Sequence, residues 1–255
     1  MAHEDNKRHH VCFVISSLAN EGPTRVLLNI VKYIDLSRFS FSIFTLVDEK
    51  ERSLAEDFQK LGARILFKGL EQATNVLDQP SFFDRVRRMK SHIASERVDL
   101  LHCHCPRSLI YVWWLGGVCK TVYTAHIYPG IQTLALYGPI KGRIVSKMIR
   151  IMMKHVGVSI ACSESVAHEY LEKDNMKIPA VNNGIEPRID LQRLKQRDEL
   201  RSHLGLDPHK NYFLYIGRLS SEKRPVELAR AFSERKESNC QLVMIGEGPE
   251  HSKLI

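Results

Sequence analysis

Short apolar runs with a strand-like composition alternate with helix-like segments along most of this chain, and this alternation limits the possible folds. The first such runs cover residues 11–18, 41–47 and 64–67, and segments between them, such as 23–34, have helical periodicity. Parallel strands joined by helices of this length need right-handed crossovers, which cover both faces of a sheet. The alternation therefore predicts an α/β fold with a doubly wound parallel sheet.

The same pattern continues to about residue 182 and then changes. The further strands are expected at 100–103, 121–124, 158–162 and 180–182, and the further helices at 53–61, 82–95, 108–116, 141–156 and 165–173. Residues 186–210 instead contain two prolines, many charges and one helix-like segment, 191–204. We interpret this stretch as a connection between two domains.

A fresh strand–helix–strand unit follows the connection, at residues 212–216, 225–233 and 241–245. We therefore expect a first Rossmann-like domain over 1–186, a connection over 187–210 and a second Rossmann-like domain over 211–255. One strand–helix–strand unit leaves sheet edges and apolar faces uncovered. The second domain is expected to be partial.

The composition is that of an ordinary globular protein, because 44% of the 255 residues are hydrophobic and 26% are charged. No window approaches the roughly 20 apolar residues that cross a bilayer, and the first ten residues are polar. The six cysteines form no CxxC pair, which is typical of reduced thiols. These features predict a cytoplasmic location.

A formal net charge of +8 indicates an anionic partner, and nucleic acid, a membrane surface or nucleotide phosphates would all satisfy it. One acid-free stretch interleaves Ile and Met with five cations, Lys141, Arg143, Lys147, Arg150 and Lys154. The spacing of the last four places them on one helical face, with an apolar face beside it. The segment is either a helix at the inner surface of a membrane or a domain helix whose apolar side packs inward. Residues 85–90 carry the same alternatives.

Residues 212–225 read as an apolar strand, a glycine turn at Gly217, and a helix start that carries cations. A strand-to-helix turn of this kind offers backbone N–H groups, a positive helix end and basic side chains to an anion such as phosphate. Arg218 and Lys223 are the candidate ligands, and the alternative is that both are solvated surface cations. Arg224 projects differently and is interpreted as a salt-bridge residue.

His102, Cys103, His104 and Cys105 are all possible metal ligands. Alternate residues of a strand face opposite ways, so the two histidines and the two cysteines would lie on different faces. A four-ligand zinc site is therefore not expected. We expect buried cysteines instead, with His104 facing a cleft near the end of the strand, where it would contact an acceptor.

A set of short motifs occurs in a fixed order along the whole chain. They are Glu21-Gly22-Pro23-Thr24-Arg25, His126, Ser163-Glu164-Ser165, Asn183-Gly184-Ile185, Gly217-Arg218-Leu219, Glu222-Lys223-Arg224 and Gly246-Glu247-Gly248-Pro249. In this order they resemble the family-4 retaining glycosyltransferases of GT-B architecture. The resemblance implies two Rossmann-like domains that face a cleft, with the acceptor on the first, the nucleotide sugar on the second, and no metal cofactor.

The resemblance also implies roles for individual residues. His126 would lie beside the donor sugar and the reaction centre, and it would act in catalysis together with Arg218 and Lys223. The expected donor-binding residues are Gly217, Arg218, Lys223, Gly246, Glu247 and Gly248. The expected acceptor and cleft residues are Gly22, His104 and Asn183. This chain departs from the family at Glu21, where relatives commonly carry a second glycine, and it ends before the paired glutamates with which relatives bind the donor.

The leading hypothesis is transfer of a hexose from a nucleotide diphosphate sugar to a lipid-linked or polysaccharide acceptor, in the synthesis of cell-surface glycans. No nucleic-acid partner is expected, because no motif for it is evident. The alternative is a truncated fragment that binds an acceptor or a membrane without catalysing transfer.

Overall fold

The structure, a computed structural model, describes residues 8–47, 53–66, 82–115, 117–186, 196–235 and 239–254. The chain divides into two units, Met1–Glu186 and Pro187–Ile255.

The first unit is built on a six-stranded parallel sheet with the strand order β3-β2-β1-β4-β5-β6. Its strands are β1 His9–Ile15, β2 Phe39–Thr45, β3 Arg64–Leu66, β4 Leu100–Cys103, β5 Lys120–Ala125 and β6 Val158–Ala161. The chain reverses its direction of travel across the sheet between β1 and β4, and ligands bind at such switch points in open α/β sheets. The predicted doubly wound α/β fold is confirmed.

Helices connect these strands on both sides of the sheet. They are α1 Gly22–Tyr33, α2 Ala55–Lys60, α3 Phe82–Ser95, α4 Pro106–Leu115, α5 Ile131–Tyr137, α6 Pro139–Lys154 and α7 Glu164–Asp174. Helix α7 shows how the sequence sets such bounds. The Ser163 hydroxyl accepts a hydrogen bond from the Val166 N–H, and the left-handed Asn175 (φ 50°) ends the helix.

The sheet separates two hydrophobic cores. On one face, Leu27 of α1 and Phe58 of α2 pack with Phe13 of β1. On the other face, helices α3, α4, α6 and α7 pack against alternate strand residues such as Val14 and Cys103. Strand β1 is therefore apolar on both sides, and this explains its uninterrupted hydrophobic sequence.

The structure differs from the sequence-based prediction at two places. Helix α5 was not predicted, because it has only seven residues between Gly130 and Gly138 and shows no repeat of a helical period. The expected strand 180–182 is reduced to a single bridge between Ala180 and Ala161.

The second unit contains a two-stranded parallel sheet of β7 Asn211–Ile216 and β8 Cys240–Ile245, with helices α8 Arg197–His203 and α9 Pro225–Ser233. The first residues of the predicted helix 191–204 lie outside the described residues. Large side chains of the strands, such as Leu214 and Ile216, are exposed. A sheet of two strands offers too little surface to bury them. This Rossmann-like unit is partial, as predicted.

Candidate functional site

Three imidazoles cluster at the carboxyl ends of β4 and β5. His102 lies on β4, His104 follows the end of β4, and His126 follows the end of β5. The ring centroids are 4.3 Å apart for His102 and His104, and 5.5 Å apart for His104 and His126. Phe13 of β1 lies 5.5 Å and 5.9 Å from the first two rings. The cluster thus adjoins the point where the strand order reverses, which is the usual ligand position in this architecture.

The strand alternation separates the histidines from the neighbouring cysteine. His102 and His104 share one face of the sheet, whereas Cys103 is completely buried in the core on the other face. In the part of the chain that the structure describes, no three His, Cys, Asp or Glu side chains are arranged to hold a metal ion.

His104 is completely buried, so its side chain does not reach an open surface. Its Nδ1 lies 3.3 Å from Nε2 of His126, and its own Nε2 has no hydrogen-bond partner. Burial lowers the pKa of His104 well below its usual value, so the ring is neutral. The expected direct contact of His104 with an acceptor is therefore corrected, because a buried ring cannot touch a ligand. His104 instead contacts the His126 ring from the protein interior.

His126 is half-buried and more accessible than His104. Its backbone carbonyl accepts a hydrogen bond from the Cys162 thiol at 3.4 Å, which fixes the start of the loop. Burial lowers the pKa of His126 to about 4. At neutral pH the imidazole is uncharged. Its Nε2 faces Nδ1 of His104, so its Nδ1 is the nitrogen that can donate or accept one further hydrogen bond. It is therefore suited to a hydroxyl group rather than to neutralising an anion.

His102 is the histidine that lines a cleft of about 300 Å³ in the first unit. Its Nε2 lies 2.8 Å from the Thr124 hydroxyl, and burial lowers its pKa to about 4. His104 was the predicted cleft residue, and His102 was not predicted. The strand alternation did place both on one face, but it could not show which of the two reaches an open surface.

The opposite wall of this cleft combines helix α1 with residues 181–185. The Asn29 side-chain amide donates to the Gly184 carbonyl at 3.1 Å, and the Lys32 ammonium lies 2.8 Å from the Glu186 carboxylate. Asn183, an expected cleft residue, lines this wall, and its N–H donates to the Cys162 carbonyl. These contacts hold the segment against α1.

Gly22 is the first residue of α1 and is exposed. No protein atom lies within 4 Å of the position that a Cβ would occupy there. The backbone contacts of the chain do not require glycine at this position. The expected close approach of a ligand to this backbone remains a prediction.

In the second unit, the loops that follow β7 and β8 pack backbone against backbone. The Leu219 N–H donates to the Glu247 carbonyl at 2.9 Å. A Cβ on Gly246 would overlap the Gly217 carbonyl, and one on Gly248 (φ 158°) would overlap the Leu219 carbonyl. Glycine is required at 246 and 248 for this packing.

Arg218 and Lys223 are exposed on the first of these loops. The Tyr215 hydroxyl donates to the Arg218 carbonyl at 2.9 Å, and Lys223 is the last residue of a short 3-10 helix, Ser221–Lys223. Both side chains are therefore presented to solvent from an anchored backbone.

The backbone of this loop provides fewer free N–H groups for an anion than the sequence indicated. The N–H groups of Gly217, Leu219, Ser220 and Lys223 all donate to protein carbonyls. Helix α9 starts with Pro225, which has no N–H, after the left-handed Arg224 (φ 49°). The prediction that these N–H groups are available to bind an anion was therefore wrong. An anion here would depend mainly on the Arg218 and Lys223 side chains.

A doubly wound unit followed by a second, partial Rossmann-like unit is the arrangement of the GT-B fold, and solved glycosyltransferases match it. The solved structure of Anabaena HepE in complex with UDP-glucose matches with a TM-score of 0.67 at 13% identity, over 93% of this chain and 60% of that one. WaaG, a glycosyltransferase involved in lipopolysaccharide biosynthesis, matches with a TM-score of 0.64 at 12% identity, over 95% of this chain and 65% of that one. At these identities the likeness shows the fold alone.

Family models place the chain more closely. Residues 21–188 match Glycosyltransferase Family 4, and residues 196–255 match Glycosyl transferases group 1. The first match covers more than half of the chain, and the chain therefore belongs to glycosyltransferase family 4.

Two curated relatives are D-inositol 3-phosphate glycosyltransferases. That of Rhodococcus erythropolis is 25% identical over an aligned length of 185, and the match covers 66% of this chain and 39% of the relative. That of Rhodococcus opacus is 26% identical over an aligned length of 211, and the match covers 74% of this chain and 44% of the relative. The chain thus spans about two fifths of the length of these relatives. No helix within the described ranges is long and apolar enough to cross a membrane.

Proposed function

We propose that this chain supplies the acceptor side and part of the donor side of an enzyme that transfers a hexose from a nucleotide diphosphate sugar. Family membership supports glycosyl transfer. The observation that supports a nucleotide diphosphate sugar as the donor is in the second unit. The loops after β7 and β8 pack closely at their glycines, and they present Arg218 and Lys223 to solvent. HepE, whose solved structure contains UDP-glucose, supports a nucleotide sugar as the co-substrate.

Arg218 and Lys223 have a clear chemical task in such a reaction. The diphosphate leaving group gains negative charge as the glycosidic bond breaks, so fixed cations stabilise the transition state more than the ground state. Two side-chain cations can provide this charge, and we propose that the reaction needs no metal cofactor.

We propose that His126 contacts the donor sugar near the reacting carbon. Its imidazole is neutral because burial lowers its pKa to about 4, and its Nδ1, which does not face His104, can therefore form one hydrogen bond with a sugar hydroxyl. His104 acts as a positioning residue, because its ring nitrogen lies 3.3 Å from that of His126. Transfer with retention of configuration is the part of this proposal that rests on the family resemblance.

The proposed acceptor is a lipid-linked or polysaccharide glycan at the cytoplasmic side of a membrane. This is supported by the fold likeness to WaaG and to WaaB, a lipopolysaccharide outer core galactosyltransferase. The cleft beside His102 and Asn183 is the proposed acceptor contact in the first unit.

The donor proposal is tested by calorimetric titration of the chain with UDP-, GDP- and ADP-sugars. Arg218→Ala and Lys223→Ala should each weaken binding at least about tenfold, because a charge-assisted hydrogen bond contributes roughly 1.5–3 kcal/mol. Arg230→Ala is the matched control, since Arg230 is an exposed cation of α9 that pairs with Glu234 instead. An equal loss of nucleotide-sugar affinity in all three variants would contradict specific roles for Arg218 and Lys223. If the parent chain bound none of these nucleotide sugars, the proposed donor would be refuted.

A second function is that of a fragment that binds an acceptor or a membrane without transfer. It is supported by the cleft of the first unit, which His102 and Asn183 line. The two functions differ in nucleotide release when donor and a lipid-linked acceptor are both supplied. Release above that of the Arg218→Ala variant supports transfer, whereas acceptor binding without release supports the fragment.

A further inference from the structure

Helix α6 carries apolar side chains on two opposite faces. The inward face consists of Ile149, Met152 and Met153, which are buried in the core. The outward line consists of Ile140, Ile144, Met148 and Ile151, which are 45–74% exposed. Spacings of four, four and three residues place this line on one side of the helix. Packing against the sheet explains the inward face and leaves the outward line without a protein partner among the described residues.

Exposed cations border the outward line on both sides. Lys141 lies on one side of it, and Arg143, Lys147 and Lys154 lie on the other. Arg150, which was predicted on the same face, is different. Its Nε lies 3.0 Å from the Asp174 carboxylate, and both side chains are largely buried. The basic surface of α6 therefore has four of the five predicted cations.

Neighbouring helices extend the apolar surface. Leu136 and Tyr137 are exposed at the end of α5, directly before α6. Trp113 of α4 is half exposed and contacts the ring of His155, which follows α6. Tyrosine and tryptophan favour the boundary between water and hydrocarbon, because each combines an apolar ring with a polar group.

The charge of the region around α6 favours an anionic bilayer over a second copy of the chain as the partner. No Asp or Glu occurs between Asp99 and Glu164, a stretch that includes α4, α5 and α6. Two copies of the chain that met through α6 would bring Lys141, Arg143, Lys147 and Lys154 close to the same residues of the other copy, which is electrostatically unfavourable. An apolar line between rows of cations instead matches a bilayer with anionic headgroups.

We infer that α6 lies along the surface of an anionic lipid bilayer. Ile140, Ile144, Met148 and Ile151 insert below the headgroups, and the four exposed cations pair with lipid phosphates. This surface is independent of the nucleotide-sugar loops of the second unit. Its test needs lipid only, so its failure is distinguishable from a failure of the proposed transfer.

The experiment is sedimentation of the full chain with vesicles of phosphatidylcholine, with or without an equal part of phosphatidylglycerol. We expect binding to the anionic vesicles that weakens between about 50 mM and about 500 mM salt, because salt screens the cations. The tryptophan emission should shift to shorter wavelength on binding, since Trp113 lies beside this surface and contacts His155. Trp114, the other tryptophan of the chain, contacts Phe82 and Phe83 of α3 instead.

Matched variants separate the apolar and the charged contributions. Ile144→Ser with Met148→Ser, and Lys147→Gln with Lys154→Gln, should each weaken binding by on the order of tenfold or more. The controls are Leu36→Ser and Lys60→Gln, which change exposed residues beside the opposite core and should bind like the parent chain. All replaced residues are exposed, so circular dichroism should show an unchanged fold.

Three outcomes would overturn the inference. They are no binding of the parent chain to anionic vesicles, equal binding to vesicles without phosphatidylglycerol, and equal loss in the control variants. A concentration-dependent dimer that Ile144→Ser with Met148→Ser abolishes, seen in sedimentation velocity without lipid, would assign the surface to a second copy instead.

Discussion

At the residue scale, the site depends on three histidines that burial keeps uncharged. His102, His104 and His126 all have a lowered pKa, and desolvation is the first cause for each. An imidazolium at any of these positions would lose its hydration, and no carboxylate of the described residues raises the pKa in return. The cluster is therefore suited to hydrogen bonding, and in the proposed function Arg218 and Lys223 supply the positive charge for a diphosphate.

A pH dependence of stability follows from His102. Its pKa is about 4 in the folded chain and 6.5 in the unfolded chain, so between these values the unfolded chain binds a proton that the folded chain does not. The contribution is fully present above about pH 6.5 and is lost as the pH falls toward 4. For this group alone the free energy of unfolding should drop by roughly 2–3 kcal/mol over that window.

Urea unfolding at a series of pH values measures this drop. His102→Gln can still bond to the Thr124 hydroxyl but does not titrate, and it should flatten the dependence by that amount. His168→Gln, which removes an exposed imidazole of α7, is the control. An unchanged slope in His102→Gln would contradict the assigned burial.

At the element scale, local sequence predicted most of the helices and strands, and a few of them with their observed bounds. Residues 82–95 and 225–233 were predicted as helices with the observed bounds, since each has an amphipathic repeat and the second starts with proline. Helix α5 was missed because it is too short to show a repeat. The sequence could not tell which apolar residues of α6 face inward, because only packing against β4–β6 and α4 divides them. The same limit explains the choice of His104 over His102 as the cleft residue.

The loops of the second unit provide a prediction at this scale. Gly246→Ala should destabilise the loop pair and weaken nucleotide binding, because its Cβ would overlap the Gly217 carbonyl and separate the two backbones. The expected cost is on the order of 1–3 kcal/mol, as for other overpacked positions.

Gly22→Ala is the matched control, since no protein atom lies near its Cβ position. Its melting temperature should equal that of the parent chain, and so should that of Gly184→Ala, where the surroundings are also open. A melting temperature of Gly246→Ala equal to both controls would contradict the described loop packing.

At the scale of the whole molecule, the two units differ in how much apolar surface they bury. Both faces of the first sheet are covered by helices that form two cores, one on each side. In the second unit, Phe213, Leu214, Ile216 and Ile245 of the two strands are each about half exposed or more. Hydrophobic burial is the main favourable term in folding, so stability should be unevenly divided along the chain.

Amide hydrogen exchange measures that division directly. Amides of β7 and β8 should show at least about a hundredfold lower protection than those of β1 and β4, because local opening of the second sheet exposes little additional apolar surface. A nucleotide sugar that binds Arg218 and Lys223 should raise protection in β7, β8 and their loops and leave β1 unchanged, since a ligand stabilises the state that it binds. Equal protection of both sheets without ligand would mean that the second unit is stabilised by contacts other than the described ones. Protection that rises in both units together would mean that they unfold as one cooperative body.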